Sequence, residues 1–151
     1  MQTSDEDWMR YAIRLAQRAE VMGEVPIGAV IVKDNMCMAE GWNAPIATCD
    51  PTAHAEIRAL REAGSNLENY RITHTTLYVT LEPCLMCYGA ICHARVGRLV
   101  FGATDPKRGV VCSALGLPEE TFLNHQPKCE GGVLSDECST LLKDFFLARR
   151  K

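Results

Sequence analysis

A strand, a helix and a second strand are predicted within residues 75–103, TTLYVTLEPCLMCYGAICHARVGRLVFGA. Residues 75–81 are rich in β-branched and aromatic side chains, which favours a strand. Pro83 suits the first turn of a helix, which is predicted to run to about Ala94. Residues 99–103 again have the pattern of a strand. Such alternation is typical of an α/β sheet that carries helices on its faces.

Upstream of this stretch the sequence predicts a long helix followed by a hairpin. Residues 4–7 resemble a capping box, and apolar residues then recur at helical spacing as far as Gly23. Residues 27–32 are predicted to form a buried strand that turns at Asp34-Asn35 into a partner strand over residues 36–42. The hairpin makes the predicted sheet mixed rather than wholly parallel.

Three further elements complete the predicted three-layer α/β/α arrangement. Residues 54–63 are predicted to form a helix that Gly64 stops. Residues 112–129 have no clear periodicity and are expected to be mostly irregular, whereas residues 131–134 are predicted to hold a short strand. Ser135 is predicted to cap a last helix, whose apolar face comprises Leu141, Leu142, Phe145 and Phe146.

Length and composition indicate one globular domain over residues 1–151. The hydrophobic share of 47% and the charged share of 23% exclude intrinsic disorder, collagen and coiled coil. The longest apolar stretches are far short of the roughly 20 residues that cross a membrane, so no membrane partner is expected. The polar, acidic N-terminal segment carries no secretion signal, which predicts a cytoplasmic protein with reduced cysteines.

The net charge of −3 argues against a generally basic nucleic-acid binder. The charge is uneven, however, because residues 143–151 carry +3 and residues 1–142 therefore carry −6. A basic helix end often only compensates the helix dipole, and this interpretation stays open beside local contact with an RNA backbone.

Two short motifs supply metal-binding residue types, His54-Ala55-Glu56 and Pro83-Cys84-Leu85-Met86-Cys87. Residues three apart at a helix start lie on one face, and the partial positive charge there favours thiolates. Two thiolates and one imidazole are a zinc ligand set that leaves a fourth position open for water. Glu56 does not share a helix face with His54, but a carboxylate beside metal-bound water could move protons.

Two other interpretations of the cysteine pair stay open. The pair could be a redox couple, although the context of thioredoxin-like motifs is missing. It could also belong to a closed structural zinc site, which would need a fourth protein ligand from among Cys49, His74, Cys92 and His93. The remaining six cysteines form no second pair of this spacing and are expected to be reduced residues without a chemical role.

Beyond these motifs the sequence resembles the zinc-dependent nucleoside and nucleotide deaminases, and within them the bacterial tRNA-specific adenosine deaminases. His-Ala-Glu and Pro-Cys-x-x-Cys are typical of the superfamily, and the other matching segments are similar to the tRNA enzymes. The likeness is carried by residues 8–10, 24–30, 41–43, 50–56, 78–84, 100–103, 105–107, 136–138, 145–146 and 149–150. Tyr88 departs from the family pattern, and residues 113–127 match it poorly.

The resemblance implies a five-stranded fold of the cytidine deaminase type and one Zn²⁺ per subunit, held by His54, Cys84 and Cys87. Glu56 would take a proton from the zinc-bound water and protonate N1 while the hydroxide attacks C6 of adenine. Loss of ammonia would leave inosine. The implied substrate is the wobble adenosine in the anticodon stem-loop of an arginine tRNA, and the implied assembly is a homodimer.

Substrate contacts near the target base are implied by the same resemblance. Asn43 corresponds to the family position that contacts the nucleoside, and an apolar wall would comprise Val25, Pro26 and Ile27. Asn43 could instead be a turn residue at a strand end. Ile27 could equally belong to the core.

Neighbouring nucleotides are expected to meet two charged segments. Asp105, Lys107 and Arg108 share one predicted loop, where Asp105 could accept a hydrogen bond from a 2′-hydroxyl or merely start a turn. Arg149 and Arg150 would contact the tRNA backbone.

The sequence therefore predicts a zinc-dependent tRNA adenosine deaminase. The alternative within enzymes is a deaminase of guanine, cytosine or a free nucleoside, which shares the metal motifs but not the basic C-terminal segment. A non-catalytic zinc module that binds RNA is a third possibility, and it does not require Glu56.

Overall fold

The structure is a computed structural model that describes residues 2–150. Its helices are α1 (Asp5–Val21), α2 (Pro45–Thr48), α3 (Ala55–Leu67), α4 (Leu85–His93) and α5 (Ser135–Arg149). Its strands are β1 (Gly28–Lys33), β2 (Met36–Trp42), β3 (Thr76–Leu81), β4 (Arg98–Ala103) and β5 (Lys128–Glu130), with a short 3₁₀ turn at Leu117–Glu119. No helix within the described residues is both long and apolar enough to cross a membrane.

The five strands form one sheet in the order β2-β1-β3-β4-β5. Strand β1 is antiparallel to both β2 and β3, whereas β4 is parallel to β3 and to β5. The predicted five-stranded mixed sheet is therefore confirmed. The hairpin turn is confirmed as well, since Asp34 and Asn35 both have positive φ, as a tight two-residue hairpin turn requires.

Helices cover both faces of the sheet, as predicted. Val30 and Val32 of β1 pack with buried side chains of α1 and α5. Ala29 and Ile31, which alternate with them along the strand, pack instead with buried side chains of α3 and α4. The period of two in a strand thus sends one set of residues into each of two hydrophobic cores.

Helix α3 packs unusually close to β2 because the strand has a glycine at the contact. A Cβ atom at Gly41 would lie 2.1 Å from the carbonyl oxygen of Ala55, which no other residue type could tolerate without backbone movement. Gly41 precedes Asn43 by two residues, and Ala55 lies between His54 and Glu56. The close contact therefore brings the end of β2 next to the start of α3.

The boundaries of α3 and α5 differ from their predicted positions. Gly64 does not stop α3, because the helix continues to Leu67 and ends where Glu68 adopts a left-handed conformation. Ser135 is the first helical residue of α5 rather than its cap, and Leu134 occupies the cap position with φ of 53° and no side-chain hydrogen bond. Glu68 at the end of α3 and Leu134 at the start of α5 thus both adopt the left-handed conformation, which their residue types do not predict.

The last strand was predicted three residues too late. Strand β5 occupies Lys128–Glu130, and the expected residues 131–134 follow it outside any strand, with a turn at 133–134. Gly131 lies against the ring of Phe101, where a Cβ atom would come within 2.3 Å, and Gly132 has φ of +90°. The two glycines therefore serve a close approach and a reversal of the chain rather than a strand.

Candidate metal centre and its surroundings

The starts of α3 and α4 meet at one end of the sheet and bring three predicted ligands together. His54 is the residue before α3, Cys84 is the residue before α4, and Cys87 lies in the first turn of α4. Pro83 thus precedes the helix instead of opening it. The His54 Nδ1 atom lies 3.6 Å from the Cys84 Sγ and 3.4 Å from the Cys87 Sγ.

These three side chains fit a zinc ion. Their donor atoms all lie within 4.8 Å of one another. Tetrahedral zinc, with bonds of about 2.3 Å to sulfur and about 2.0 Å to nitrogen, places such ligand pairs about 3.5–3.8 Å apart. Both helix N-termini add partial positive charge that favours thiolates.

The pKa values of the Cys84 and Cys87 thiols shift in opposite directions, as expected when one proton is shared between two sulfur atoms. A hydrogen bond from Cys87, together with one from His54, lowers the pKa of Cys84 to about 4 despite its burial. The same hydrogen bond to Cys84, together with burial, raises the pKa of Cys87. Without a metal, Cys84 is therefore the thiolate and Cys87 keeps its proton, which a bound cation would displace.

Glu56 is buried beside this centre, in the first turn of α3. Burial, with a smaller contribution from the nearby charge of Cys84, raises the pKa of Glu56 to about 7, although a backbone hydrogen bond and the charge of His54 oppose the shift. A carboxyl group with a pKa near neutrality can both take up and release a proton.

The interpretation as a closed structural site lacks a fourth ligand. Among residues 2–150, the group that could hold a metal comprises His54, Cys84 and Cys87 alone. The candidates Cys49, His74, Cys92 and His93 are not part of it, and all but Cys92 are exposed. The arrangement is that of an open, three-ligand centre.

Asn43 follows β2 and points its side chain into the protein. It is 7% exposed, and its Oδ1 atom is fully buried without a hydrogen-bond partner. Its backbone N–H donates to the carbonyl of Ile27, and Arg58 fixes the preceding Trp42 by donating to its carbonyl and stacking on its ring. A buried acceptor left unpaired costs about 1–3 kcal/mol, so this oxygen is a natural contact for a ligand.

The predicted apolar wall is mixed in its environment. Pro26 is buried, whereas Val25 and Ile27 are partly exposed. Ile27 also packs against the core on the α3 side of the sheet, so the alternative of a core residue holds for part of its surface.

The charged loop contains a turn of its own. The Asp105 Oδ1 accepts hydrogen bonds from the backbone N–H groups of Lys107 and Arg108, at 3.1 Å and 3.2 Å. Asp105 therefore does start a turn, as the alternative predicted. Lys107 and Arg108 are exposed. The hydrogen bond to Cys84 raises the pKa of the His54 imidazole, and Arg108 is close enough for its charge to oppose part of that rise. The loop therefore borders the metal centre.

The two C-terminal arginines lie in different surroundings. Arg149 donates a hydrogen bond of 2.7 Å to the carbonyl of Gly23 and lies over the ring of Phe145. Arg150 is exposed. Lys151, which contributes to the predicted basic segment, lies outside the described residues. The structure thus gives Arg149 a role in packing the end of α5 against the end of α1.

Two buried acids, Glu24 and Glu82, were not recognised from the sequence. The Glu24 carboxylate accepts hydrogen bonds from the backbone N–H groups of Ile46 and Ala47 and so caps the unpredicted helix α2. Burial opposes the charge of Glu82, but hydrogen bonds from the Cys112 backbone and the Ser113 hydroxyl outweigh it and lower the pKa of Glu82. The one sequence feature that could have indicated a buried role for Glu24 and Glu82 is that each acid lies close to the end of an apolar strand segment.

Tyr88, the departure from the family pattern, is fully buried next to Cys87. Its hydroxyl donates a hydrogen bond to the side-chain carbonyl of Gln126. The large ring is therefore accommodated by the poorly matching segment, residues 113–127, which closes over it.

The fold and the three-ligand centre are those of a zinc-binding deaminase domain. Residues 2–103 match the zinc-binding region of the cytidine and deoxycytidylate deaminases. The tRNA-specific adenosine deaminase of Haemophilus influenzae is 52% identical to this chain, over 97% of its length and 86% of that protein. The chain belongs to the family of tRNA-specific adenosine deaminases.

Solved structures of two deaminases have a similar fold. One, from studies of A-to-I editing by tRNA:A34 deaminases at the wobble position of transfer RNA, is 41% identical and superposes with a TM-score of 0.87. The match covers 89% of this chain and 98% of that chain. The guanine deaminase of Bacillus subtilis is 40% identical with a TM-score of 0.65, over 68% of this chain and 66% of that one.

Proposed function

We propose that this protein converts adenosine to inosine at the wobble position of a tRNA anticodon, with an arginine tRNA as its substrate. The observation that carries the reaction is the buried Glu56 carboxyl beside an open three-ligand centre. A tRNA substrate is supported by the relatives, since the Haemophilus protein is a tRNA-specific adenosine deaminase, whereas the arginine tRNA is implied by the family resemblance alone.

His54, Cys84 and Cys87 would hold one zinc ion per subunit, which would activate a water molecule for attack at C6 of the purine. Glu56 would take a proton from the attacking water and pass it to N1 of adenine, and would then move the proton of the new C6 hydroxyl to the departing amino group, so that ammonia leaves. The burial that raises the pKa of Glu56 also keeps its proton available near neutral pH.

The surrounding residues would bind the nucleotide. The unpaired Oδ1 of Asn43 would accept a hydrogen bond from the target nucleoside, against the wall of Val25, Pro26 and Ile27. The Asp105 carboxylate would meet a 2′-hydroxyl through Oδ2, because its turn uses Oδ1.

Lys107, Arg108 and Arg150 would contact phosphates of the anticodon loop. All three are exposed, and Lys107 and Arg108 lie on the loop that borders the metal centre. An unpaired loop base suits a pocket of this kind, because little pairing energy opposes its extrusion.

Guanine deamination is a second candidate, because the Bacillus enzyme of that activity is 40% identical over two thirds of this chain.

We expect the protein to form inosine in an arginine-tRNA anticodon stem-loop, measured by mass spectrometry of the digested nucleosides. We expect no turnover of guanine, cytosine, adenosine or cytidine. Stem-loops with a wobble adenosine in other sequence contexts would test the preference for arginine tRNA. Turnover of guanine or cytidine without the stem-loop would refute the main proposal.

If the basic C-terminal segment contacts the tRNA backbone, the affinity for the stem-loop should depend on salt through this segment. Replacing Arg150 by alanine should weaken stem-loop binding and reduce the slope of log affinity against log salt by about 1, as the loss of one phosphate contact does. Arg149→Ala should also lower the melting temperature, because the Gly23 carbonyl loses its donor. If affinity and salt slope are unchanged when both residues are replaced, the segment is only a helix end.

We further propose that residues 1–151 act as one domain in a homodimer in the cytoplasm. All eight cysteines are free thiols, in keeping with a reducing compartment. Sedimentation analysis of the purified protein would test the dimer.

A further inference from the structure

Glu82 lies just beyond the end of β3, two residues before the predicted ligand Cys84. It is 2% exposed, yet its carboxylate has five hydrogen-bond donors. One donor is the Ser113 hydroxyl. The others are backbone N–H groups, those of Asp105 at 3.0 Å, Val111 at 3.0 Å, Cys112 at 2.9 Å and Ser113 at 3.1 Å.

All five donors belong to residues 104–113, the segment that carries the charged loop. Within the described residues, the hydrogen bonds that join this segment to earlier parts of the chain end on Glu82 or on the adjacent Pro83, whose carbonyl accepts from Val110. Its other hydrogen bonds outside the segment run to residues 114–117, which follow it directly. The segment is therefore tied to the preceding part of the protein at the two residues that directly precede Cys84.

Gly109 gives independent evidence that this contact fixes the shape of the segment. A Cβ atom at Gly109 would lie 2.3 Å from the carboxyl carbon of Glu82 and 2.4 Å from one of its oxygens. Positive φ is not the reason for this glycine, because its φ lies outside that region. The close approach of the carboxylate to the backbone is what excludes a side chain there.

We propose that Glu82 is a positioning residue for substrate recognition. Its carboxylate holds residues 104–113 at a set position beside the metal centre, so that Asp105, Lys107 and Arg108 meet the nucleotides that flank the target. Because the segment is anchored next to Cys84, the metal ligands and the substrate loop keep a fixed relative position. The identity of the ligand rests on the proposed function, whereas the anchoring does not.

Replacing Glu82 by glutamine keeps the shape but turns one acceptor into an N–H donor that faces other donors. We expect the backbone amides of residues 105–113 to lose protection in hydrogen exchange. KM for the stem-loop should rise about tenfold or more, while kcat changes by less than about threefold. Zinc content should be unchanged. Glu62→Gln, the same substitution at an exposed position of α3, is the matched control and should change none of these.

Gly109→Ala tests the same contact from the loop side and leaves Glu82 intact. It should give the same pattern of lost protection and raised KM. A merely structural role would lower apparent kcat in proportion to the unfolded fraction and leave KM unchanged. Unchanged protection in Glu82→Gln, or released amides with an unchanged KM, would overturn the proposal. A wild-type protein that leaves the stem-loop unedited would instead refute the proposed function, and hydrogen exchange would still decide the anchoring.

Discussion

Replacing Glu56 by alanine is expected to slow inosine formation by about 10²–10⁴-fold while zinc content and tRNA binding stay at the wild-type level. The side chain is 4% exposed and lies beside Cys87 and His54, where a methyl group can neither take up nor deliver a proton. Single-turnover inosine formation measures the chemical step. Elemental analysis and equilibrium binding to the stem-loop measure the two properties that should persist.

Glu56→Gln is the sharper variant, because it keeps the volume and most hydrogen bonds of the side chain but cannot exchange a proton. It should lose nearly as much rate as Glu56→Ala. Glu62→Gln lies on the same helix but is exposed, and should be fully active. Undiminished inosine formation in either Glu56 variant would refute the role in proton transfer.

The predicted ligands could be recognised because their placement depends on local features. His54 and the Cys84 and Cys87 pair each lie at a helix start, and both starts are signalled by short motifs in the sequence. Local signals also predicted the helix cap at Ser4, whose hydroxyl accepts from the backbone of Asp7. That the two helix starts meet follows from the strand order β2-β1-β3-β4-β5, which was not predicted from the sequence.

The residues that were missed depend on contacts between distant parts of the chain. Glu82 bonds to backbone groups about 30 positions away, and Glu24 caps a helix of four residues that is too short to have a periodic pattern. Likewise, Gly131 was assigned to a strand because its contact with the ring of Phe101 cannot be read from neighbouring residues. Burial of a charge or a close backbone approach becomes visible only once the chain is folded.

The substrate contacts implied by the resemblance stay predictions, and two of these side chains have partners within the protein. The Arg149 guanidinium, which is predicted to contact tRNA, donates to the Gly23 carbonyl. Asp105 was expected to meet a hydroxyl, and one of its oxygens already bonds to the backbone. A charged group that finds a partner within its own chain has fewer hydrogen bonds left for a substrate.

The second large effect expected is the loss of zinc from Cys84→Ser. Wild-type protein should contain about one zinc per chain, and this variant almost none, because a serine hydroxyl does not ionise near neutral pH and is a harder ligand than a thiolate. Inosine formation should fall by about 10³-fold or more, since activation by a metal is worth several kcal/mol and about 1.4 kcal/mol is tenfold. Cys87→Ser should lose zinc and inosine formation to a similar extent.

Cys49→Ser is the matched control, since Cys49 was the exposed candidate for a fourth ligand and lies outside the group of three. It should keep its zinc and its activity. Normal zinc content in Cys84→Ser would mean that the zinc ligands are misassigned. Zinc loss in Cys49→Ser would instead support the interpretation as a closed structural site with a fourth protein ligand. The Glu56 and Cys84 variants also separate two kinds of inactivity. Added zinc should restore activity to chelator-treated wild-type protein, but not to Glu56→Ala, because that variant lacks the proton carrier and not the metal.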